Sequence, residues 1–237
     1  MIYSVVRAAR HFKYQKRWSK QLIKVPQDSA QKHVLFIPSA GGNTHSMKVS
    51  SVIAARFIKE GFKVSFLLCD SLFPACFIST IHFDRNTNKF AQHGNSALTC
   101  SSCFHAAAQS LNTLGIEYLK ISDYIPRYLK EEILSLSLEI PLKSIDKYKV
   151  NNVNIGEHAY AGALRFFATG KPNDEHWDQV YRKYFYSALI AYHAFYTLAT
   201  ANNITNVFMD HGIYVPSGIY VDIANCLLYT SPSPRDA

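Results

Sequence analysis

Short apolar runs alternate with helical patterns along most of this chain. Residues 33–38 and 62–68 are apolar runs bounded by breakers, which is typical of buried strands. Between them, apolar residues recur at helical spacing over residues 47–60, and Gly61 marks the end of that pattern. A strand, a helix and a strand in this order predict a parallel pair of strands joined by a right-handed crossover.

The alternation continues along the rest of the sequence. Two more short strands are predicted, at residues 116–121 and 206–209. Further helices are predicted over residues 101–114, 126–136, 154–170 and 174–202, and from Gly218 onwards. Aromatic and apolar residues at helical spacing in the longest of these helices indicate core packing. The sequence therefore predicts an α/β fold with a parallel sheet flanked by helices, and an irregular insertion at about residues 69–105.

Polar residues follow the strand predicted at residues 206–209, where a helix is about to begin. They include Asp210, His211, Gly212 and Tyr214. Open α/β sheets bind ligands at the carboxyl ends of their strands. Because an imidazole titrates near neutrality, His211 is the first candidate for a catalytic base, with Asp210 to orient it or to take its role. The alternative is a buried histidine in an ordinary corner between strand and helix.

A second polar turn follows the strand at residues 33–38. Its glycines do not match a dinucleotide-binding fingerprint or a phosphate-binding P-loop. Gly41 and Gly42 still permit close approach of the backbone, and with Asn43 they precede a helix whose first N–H groups could bind an anion. A simple tight turn is the alternative. Since the ends of parallel strands share one edge of the sheet, His45 is expected to face the same cleft as the polar residues after the last strand, and it is a further candidate for a catalytic residue.

One cation interrupts the apolar run of residues 159–168. Arg165 is interpreted either as an anchor for a phosphate or carboxylate ligand or as a partner in a buried ion pair. The remaining histidines have no second metal ligand at a convincing spacing and are interpreted as structural or surface residues: His93, His105, His158, His176 and His193.

Four cysteines cluster in or beside the predicted insertion: Cys69, Cys76, Cys100 and Cys103. Two pairs of thiolates can close a tetrahedral structural zinc site, and an iron–sulfur cluster uses the same ligands. The first pair is spaced more widely than zinc ligands usually are, so free or redox-active thiols are the main alternative. Disulfides are disfavoured in a chain without a secretory signal.

The composition predicts one folded domain, or one and a half. The chain has 237 residues, of which 48% are hydrophobic and 18% charged. It contains no apolar run of about 18 residues and no signal-peptide cleavage site, which predicts a cytoplasmic protein without a membrane-spanning helix.

The net charge of +8 is concentrated near the start of the chain. In residues 1–31, basic residues are interleaved with aromatic and aliphatic ones, which predicts a basic amphipathic arm. Such an arm could contact the inner face of a membrane or a phosphate-rich ligand, and a solvated helix face is the alternative. Binding to nucleic acid is not predicted, because no recognised reading module accompanies the charge.

The last residues resemble a translated sequencing adapter. Residues 226–236 match one reading frame of a transposase-type adapter, and an Asn225 codon ending in C would supply the first base. A natural tail rich in serine and proline is the alternative. On the adapter interpretation, residues 226–237 are no part of the fold, and the natural protein continues beyond Asn225.

The strand–glycine loop–helix–strand unit resembles the amino-terminal half of the two-Rossmann-domain (GT-B) glycosyltransferases. More narrowly, four stretches resemble proteins of capsule or surface polysaccharide synthesis: residues 69–76, 100–103, 156–167 and 210–216. The resemblance covers residues 33–225. It implies a Rossmann-like, acceptor-side domain over residues 32–225 and a carboxyl-terminal donor-binding domain that is missing from this chain.

The resemblance also implies an activity. The complete enzyme would transfer a sugar from a nucleotide-sugar donor to a surface glycan acceptor, without a metal for the transfer itself. His211 would act as the base, Tyr214 would contact a substrate, and this truncated chain would be inactive. The alternatives are a nucleotide-sugar epimerase of the same two-domain plan and a non-catalytic, metal-stapled module of a polysaccharide assembly complex.

Overall fold

The computed structural model describes residues 32–80, 86–171 and 174–227. Its sheet has four parallel strands in the order β3-β2-β1-β4. Their bounds are β1 His33–Ile37, β2 Lys63–Leu68, β3 Glu117–Lys120 and β4 Asn206–Met209. The predicted α/β class with a parallel sheet is confirmed. The predicted basic arm of residues 1–31 and the tail beyond Leu227 lie outside the described residues.

Helices cover both faces of this sheet. They are α1 Thr44–Lys59, α2 Thr87–His93, α3 Ala97–Leu114, α4 Arg127–Glu139, α5 Leu142–Ile145, α6 Ile155–Phe167, α7 Trp177–Ala201 and α8 Ser217–Leu227, with 3-10 turns at Phe77–Thr80 and Ile121–Tyr124. No helix among the described residues is long and apolar enough to span a membrane.

The central strand β1 is buried along its whole length, which explains why its sequence is continuously apolar. Leu35 and Ile37 belong to a core cluster shared with α6, α7 and α8. Phe36 belongs to a second cluster, on the other face, shared with α1 and α3. The sheet therefore has a packed core on each side, and polar residues are found in the loops at the strand ends.

Helix α7 contributes more buried residues to the larger core than any other element. Its buried side chains include Tyr184, Phe185 and Phe195, so the interpretation of the aromatic repeat as core packing is confirmed. A Cβ on Gly162 of α6 would lie 2.6 Å from the ring of Tyr184, so the two helices cross closely at that glycine. This crossing fixes the end of α6 that carries Arg165.

The predicted irregular insertion at about residues 69–105 is wrong where the chain forms helices. Residues 86–105 are largely helical, in α2 and in the first turns of α3. Ser96 caps α3 by accepting a hydrogen bond from the Thr99 N–H at 3.1 Å. The first turn of α3 is exposed, with Leu98 at 79% exposure, so it shows no apolar periodicity that the sequence could reveal.

Helix α8 includes two residues of the adapter-like tail. Cys226 and Leu227 continue the helix and are exposed, while residues 217–220, 223 and 224 are buried against the core. The part of α8 that packs therefore ends before the adapter-like sequence begins.

Candidate functional site

The strand order creates a crevice between β1 and β4. The chain moves from β1 to β2 on one side and later returns to β4 on the other side, which makes this the topological switch point of the sheet. The Ser39 N–H donates to Asp210 Oδ1 at 2.8 Å, and the Ser39 hydroxyl donates to Oδ2 at 3.2 Å. Asp210 thus ties together the two loops that form the crevice.

Four side chains from three elements meet beside this crevice. We call them the Arg165 cluster: Phe77, Arg165, His211 and Tyr214. The imidazole centroid of His211 lies 5.1 Å from the Phe77 ring and 5.3 Å from the Tyr214 ring. Two of the three sequence-predicted residues in the cluster come from the loop after β4, and Arg165 comes from the last turn of α6.

The Arg165 guanidinium lies against both six-membered rings of the cluster. Its central carbon is 4.9 Å from the Phe77 centroid and 4.6 Å from the Tyr214 centroid. One of its terminal nitrogens donates to the Tyr214 hydroxyl at 3.3 Å. Arg165 is exposed rather than buried.

The His211 imidazole has one fixed hydrogen bond. Its Nδ1 accepts a hydrogen bond from the Ile213 backbone N–H at 3.2 Å. Partial burial and the nearby charge of Arg165 lower the pKa of His211, while Asp210 acts in the opposite direction. The neutral ring therefore carries its proton on Nε2, because Nδ1 is used as an acceptor. In this state Nε2 is a hydrogen-bond donor, whereas the expected role as a base needs an unprotonated nitrogen.

His158 supports the same loop from α6. Its Nδ1 donates to the Ile213 carbonyl at 2.7 Å, and its Nε2 lies 3.2 Å from Asp222 Oδ2. Burial acts to lower the pKa of His158, but the hydrogen bonds to Asp222 and to the Ile213 carbonyl outweigh burial and raise it. His158 is thus a structural residue, as interpreted from the sequence.

The residues after β1 have roles in packing and helix capping. A Cβ on Gly41 would lie 2.8 Å from the Cys103 carbonyl, and the Gly42 N–H donates to Cys103 Sγ at 3.1 Å. Asn43 caps α1 by accepting from the backbone N–H groups of His45 and Ser46. The exposed His45 ring makes no hydrogen bond, ion pair or ring contact with the described members of the Arg165 cluster.

The four predicted metal ligands line one small cavity, of about 50 Å³. Among the described residues, however, no group of three or more histidine, cysteine or acidic side chains is placed to hold a metal ion. Desolvation raises the pKa of each of these thiols, to about 11 for Cys100. The described residues thus contain no arrangement that supports the structural zinc or iron–sulfur interpretation.

Arg165 also lines a larger cavity, of about 360 Å³. Charged and polar residues line part of it, including Lys89, His93 and Asp174. The stacked rings of Phe90 and Phe166, 4.4 Å apart, line another part. Arg165 therefore faces this cavity as well as the rings of Phe77 and Tyr214.

Sequence reasoning missed three residues of this site. Ser39 had a usable signal, since it is the first hydroxyl after a predicted strand. Asp222 is the lone acid in the apolar run 218–224, which is also a signal. Phe77 carries no local signal, because only the folded chain brings it to Arg165.

Comparison with known proteins gives one structural match to report. No family model matches the chain, and no curated protein matches it. A solved structure of a CDPS (cyclodipeptide synthase) from Staphylococcus haemolyticus overlaps 90% of this chain and 88% of its own, at 13% identity and a TM-score of 0.38. At this level of similarity, the overlap transfers no activity to this chain.

The glycosyltransferase prediction is wrong. The solved structure that matches belongs to a different class of enzyme, and neither a family model nor a curated protein supports a GT-B or capsule-synthesis assignment. The predicted nucleotide-sugar donor and glycan acceptor are not supported either. The same holds for the two alternatives, the epimerase and the polysaccharide-assembly module. The resemblance rested on short stretches, and several of their residues are required by packing alone.

Proposed function

We propose that this chain binds a small ligand through an oxyanion, a phosphate or a carboxylate, at the crevice between β1 and β4. The observation that carries the proposal is Arg165 lying against Phe77 and Tyr214, with His211 beside the same rings. Arg165 is the anchor for the anion, and His211 donates a hydrogen bond from Nε2. The place agrees with the general rule that open α/β sheets bind ligands at the switch point.

The arginine supports an anionic ligand better than a neutral one. Aromatic rings against a guanidinium hold its plane in one orientation and direct its N–H edge towards a partner. That edge matches the two oxygens of a carboxylate or phosphate, which can accept two parallel hydrogen bonds. Arg165 is also exposed, so an anion can reach it from solvent.

The state of His211 supports the same ligand class. A lowered pKa keeps the ring neutral near pH 7, and the Ile213 N–H occupies Nδ1. A neutral imidazole with its proton on Nε2 can polarise a phosphoryl or carbonyl oxygen without carrying a charge of its own. It would therefore donate a hydrogen bond to the oxyanion without repelling the neighbouring guanidinium of Arg165.

The cavity that Arg165 lines supports a ligand larger than an inorganic ion. Its volume of about 360 Å³ is within the range of small-molecule sites. The Phe90 and Phe166 rings provide an apolar surface, while Lys89 and His93 provide polar contacts at the same cavity. The ligand is thus expected to combine an anionic group with an apolar or planar part.

The proposal is tested by titrating the full chain with inorganic phosphate, and separately with acetate, while recording backbone amide shifts. We expect the amides of Gly212 and Tyr214 to move in a saturable way. Arg165→Ala should weaken phosphate binding about ten- to a hundredfold, because hydrogen bonds to charged groups are worth about 1.5–3 kcal/mol. Arg165→Lys should restore part of the loss, since lysine keeps the charge but not the fork.

The matched control is Arg127→Ala, which removes the same charge from an exposed arginine on α4. The Arg127 side chain is 90% exposed and pairs with Glu131 at 3.0 Å, away from the crevice. Phosphate binding should be unchanged in this variant. Equal weakening by the two alanine variants would mean that phosphate responds to net charge, and the proposed site would be abandoned.

A further inference from the structure

We infer that His158, held by Asp222, positions His211 through Ile213 in the loop after β4: His158 fixes the Ile213 carbonyl, and the N–H of the same residue donates to His211. His158 touches no ligand in this scheme and acts through the backbone. The consequence for binding rests on the proposed function, but the effect on His211 does not, because the hydrogen bonds are made by the chain alone.

The hydrogen bonds form a continuous path from Asp222 to His211. The Asp222 carboxylate lies 3.2 Å from His158 Nε2, and His158 Nδ1 donates to the Ile213 carbonyl at 2.7 Å. The Ile213 N–H in turn donates to His211 Nδ1 at 3.2 Å. The two peptide units that flank Ile213 are thus held by two different imidazoles.

The protonation states along this path follow from its acceptors. A carbonyl and a carboxylate can only accept, so a His158 ring that satisfies both carries a proton on each nitrogen. The negative charge of Asp222 compensates that imidazolium. His211, in contrast, must keep Nδ1 unprotonated to accept from Ile213, and its proton then resides on Nε2.

The surrounding residues are adapted to this arrangement. A Cβ on Gly218 would lie 2.2 Å from His158 Nδ1 and 2.6 Å from the Ile213 carbonyl oxygen, so a glycine is needed for the imidazole to reach the loop. Asp222 Oδ2 also accepts from the Asn154 N–H at 3.1 Å, which fixes the carboxylate. The Ile213 side chain is 60% exposed, so burial of that side chain does not hold the loop in place.

Without the His158 bond, the Ile213 carbonyl would lose its only described side-chain donor and the loop could rotate. The Ile213 N–H would then no longer be directed at His211. We expect the His211 ring to exchange between its two neutral tautomers and to present Nε2–H for only part of the time.

Two conservative variants separate the two bonds of His158. An asparagine amide nitrogen occupies nearly the place of Nδ1, whereas a glutamine amide nitrogen reaches the place of Nε2. His158→Asn should therefore keep the bond to Ile213 and lose the bond to Asp222. His158→Gln should keep the bond to Asp222 and lose the bond to Ile213. The two variants are similar in polarity and both remove the titratable ring.

The measurement is the ¹⁵N chemical shift of the His211 ring nitrogens in the full chain, which distinguishes the two tautomers. In the wild type and in His158→Asn, we expect an unprotonated Nδ1 and a protonated Nε2. In His158→Gln, we expect averaged shifts and phosphate binding weakened about three- to tenfold. Near-ultraviolet circular dichroism would establish that each variant is folded.

The wild-type spectrum alone can overturn the inference, even if neither variant folds. A His211 ring protonated on Nδ1, or a His158 ring with an unprotonated Nδ1, would contradict the proposed path. Identical His211 shifts in His158→Gln and the wild type would contradict it as well. If the tautomer changes as expected but wild-type chain binds no phosphate, the positioning role stands and the proposed function fails.

Discussion

Replacing Gly218 by alanine sets two physical effects against each other. Alanine is the better helix former, by about 0.5–1 kcal/mol, so a rule based on helix propensity alone predicts that the variant is more stable. The structure predicts the opposite. The new Cβ would lie 2.2 Å from His158 Nδ1 and 2.6 Å from the Ile213 carbonyl oxygen, which are the two atoms joined by the hydrogen bond.

The size of the loss can be worked out from these contacts. Forcing an extra methyl group into a packed site costs about 1–3 kcal/mol. Breaking a hydrogen bond to a charged imidazole adds about 1.5–3 kcal/mol. After the gain in helix propensity is subtracted, Gly218→Ala should lower the free energy of unfolding by about 2–5 kcal/mol, a large part of the stability of a typical domain.

Urea denaturation at neutral pH measures this difference. The midpoint should fall by about 1 M or more, with the slope unchanged. The matched control is Gly170→Ala, because a Cβ on Gly170 would meet no atom of the described residues within 4 Å. That variant should unfold close to the wild-type midpoint. If Gly218→Ala proves as stable as the wild type, the close approach of His158 to α8 is not real, and the positioning path from Asp222 to His211 loses its basis.

Two further predictions concern titration and thiol reactivity. The pKa of His158 is raised from 6.5 and that of Asp222 is lowered from 3.8, so their pair should stabilise the fold most between about pH 4 and pH 6.5. That contribution should be lost as pH rises through the folded pKa of His158 or falls through that of Asp222, and His158→Asn should flatten the dependence of the urea midpoint on pH. Iodoacetamide at pH 7.5 should label the exposed Cys226 first, because desolvation keeps the other four thiols protonated. Peptide mass spectrometry would check the order, and labelling of Cys100 at the rate of Cys226 would contradict it.

The two central strands of the sheet, β1 and β2, could be predicted because they are buried on both faces. A strand such as β1 has no solvent side, so every position is apolar and the run is easily recognised. The first turns of α3 could not be predicted in this way, since they are exposed and carry small polar residues. Helix α3 depends on the Ser96 cap, and a cap without an apolar stripe is a weak signal.

The candidate site could be predicted where it follows a strand and where a cation, Arg165, interrupts an apolar run. Asp210, His211 and Tyr214 lie at the end of β4, and the general behaviour of parallel sheets places them at the crevice. Phe77 and Asp222 belong to the same site through tertiary packing. Their local sequence does not predict that Phe77 contacts Arg165 or that Asp222 contacts His158.

The stretch that resembled a glycosyltransferase also shows why a motif can match while an activity does not. Asp210 binds the loop after β1, and His211 accepts from the backbone two residues later. Gly212 has no Cβ because one would lie 2.8 Å from Val221, and Gly218 makes room for His158. Any chain that joins a strand to a helix at this corner with these contacts needs similar residues. Such a motif therefore reflects the geometry of the connection between strand and helix. The activity has to be established from the side chains that face the crevice.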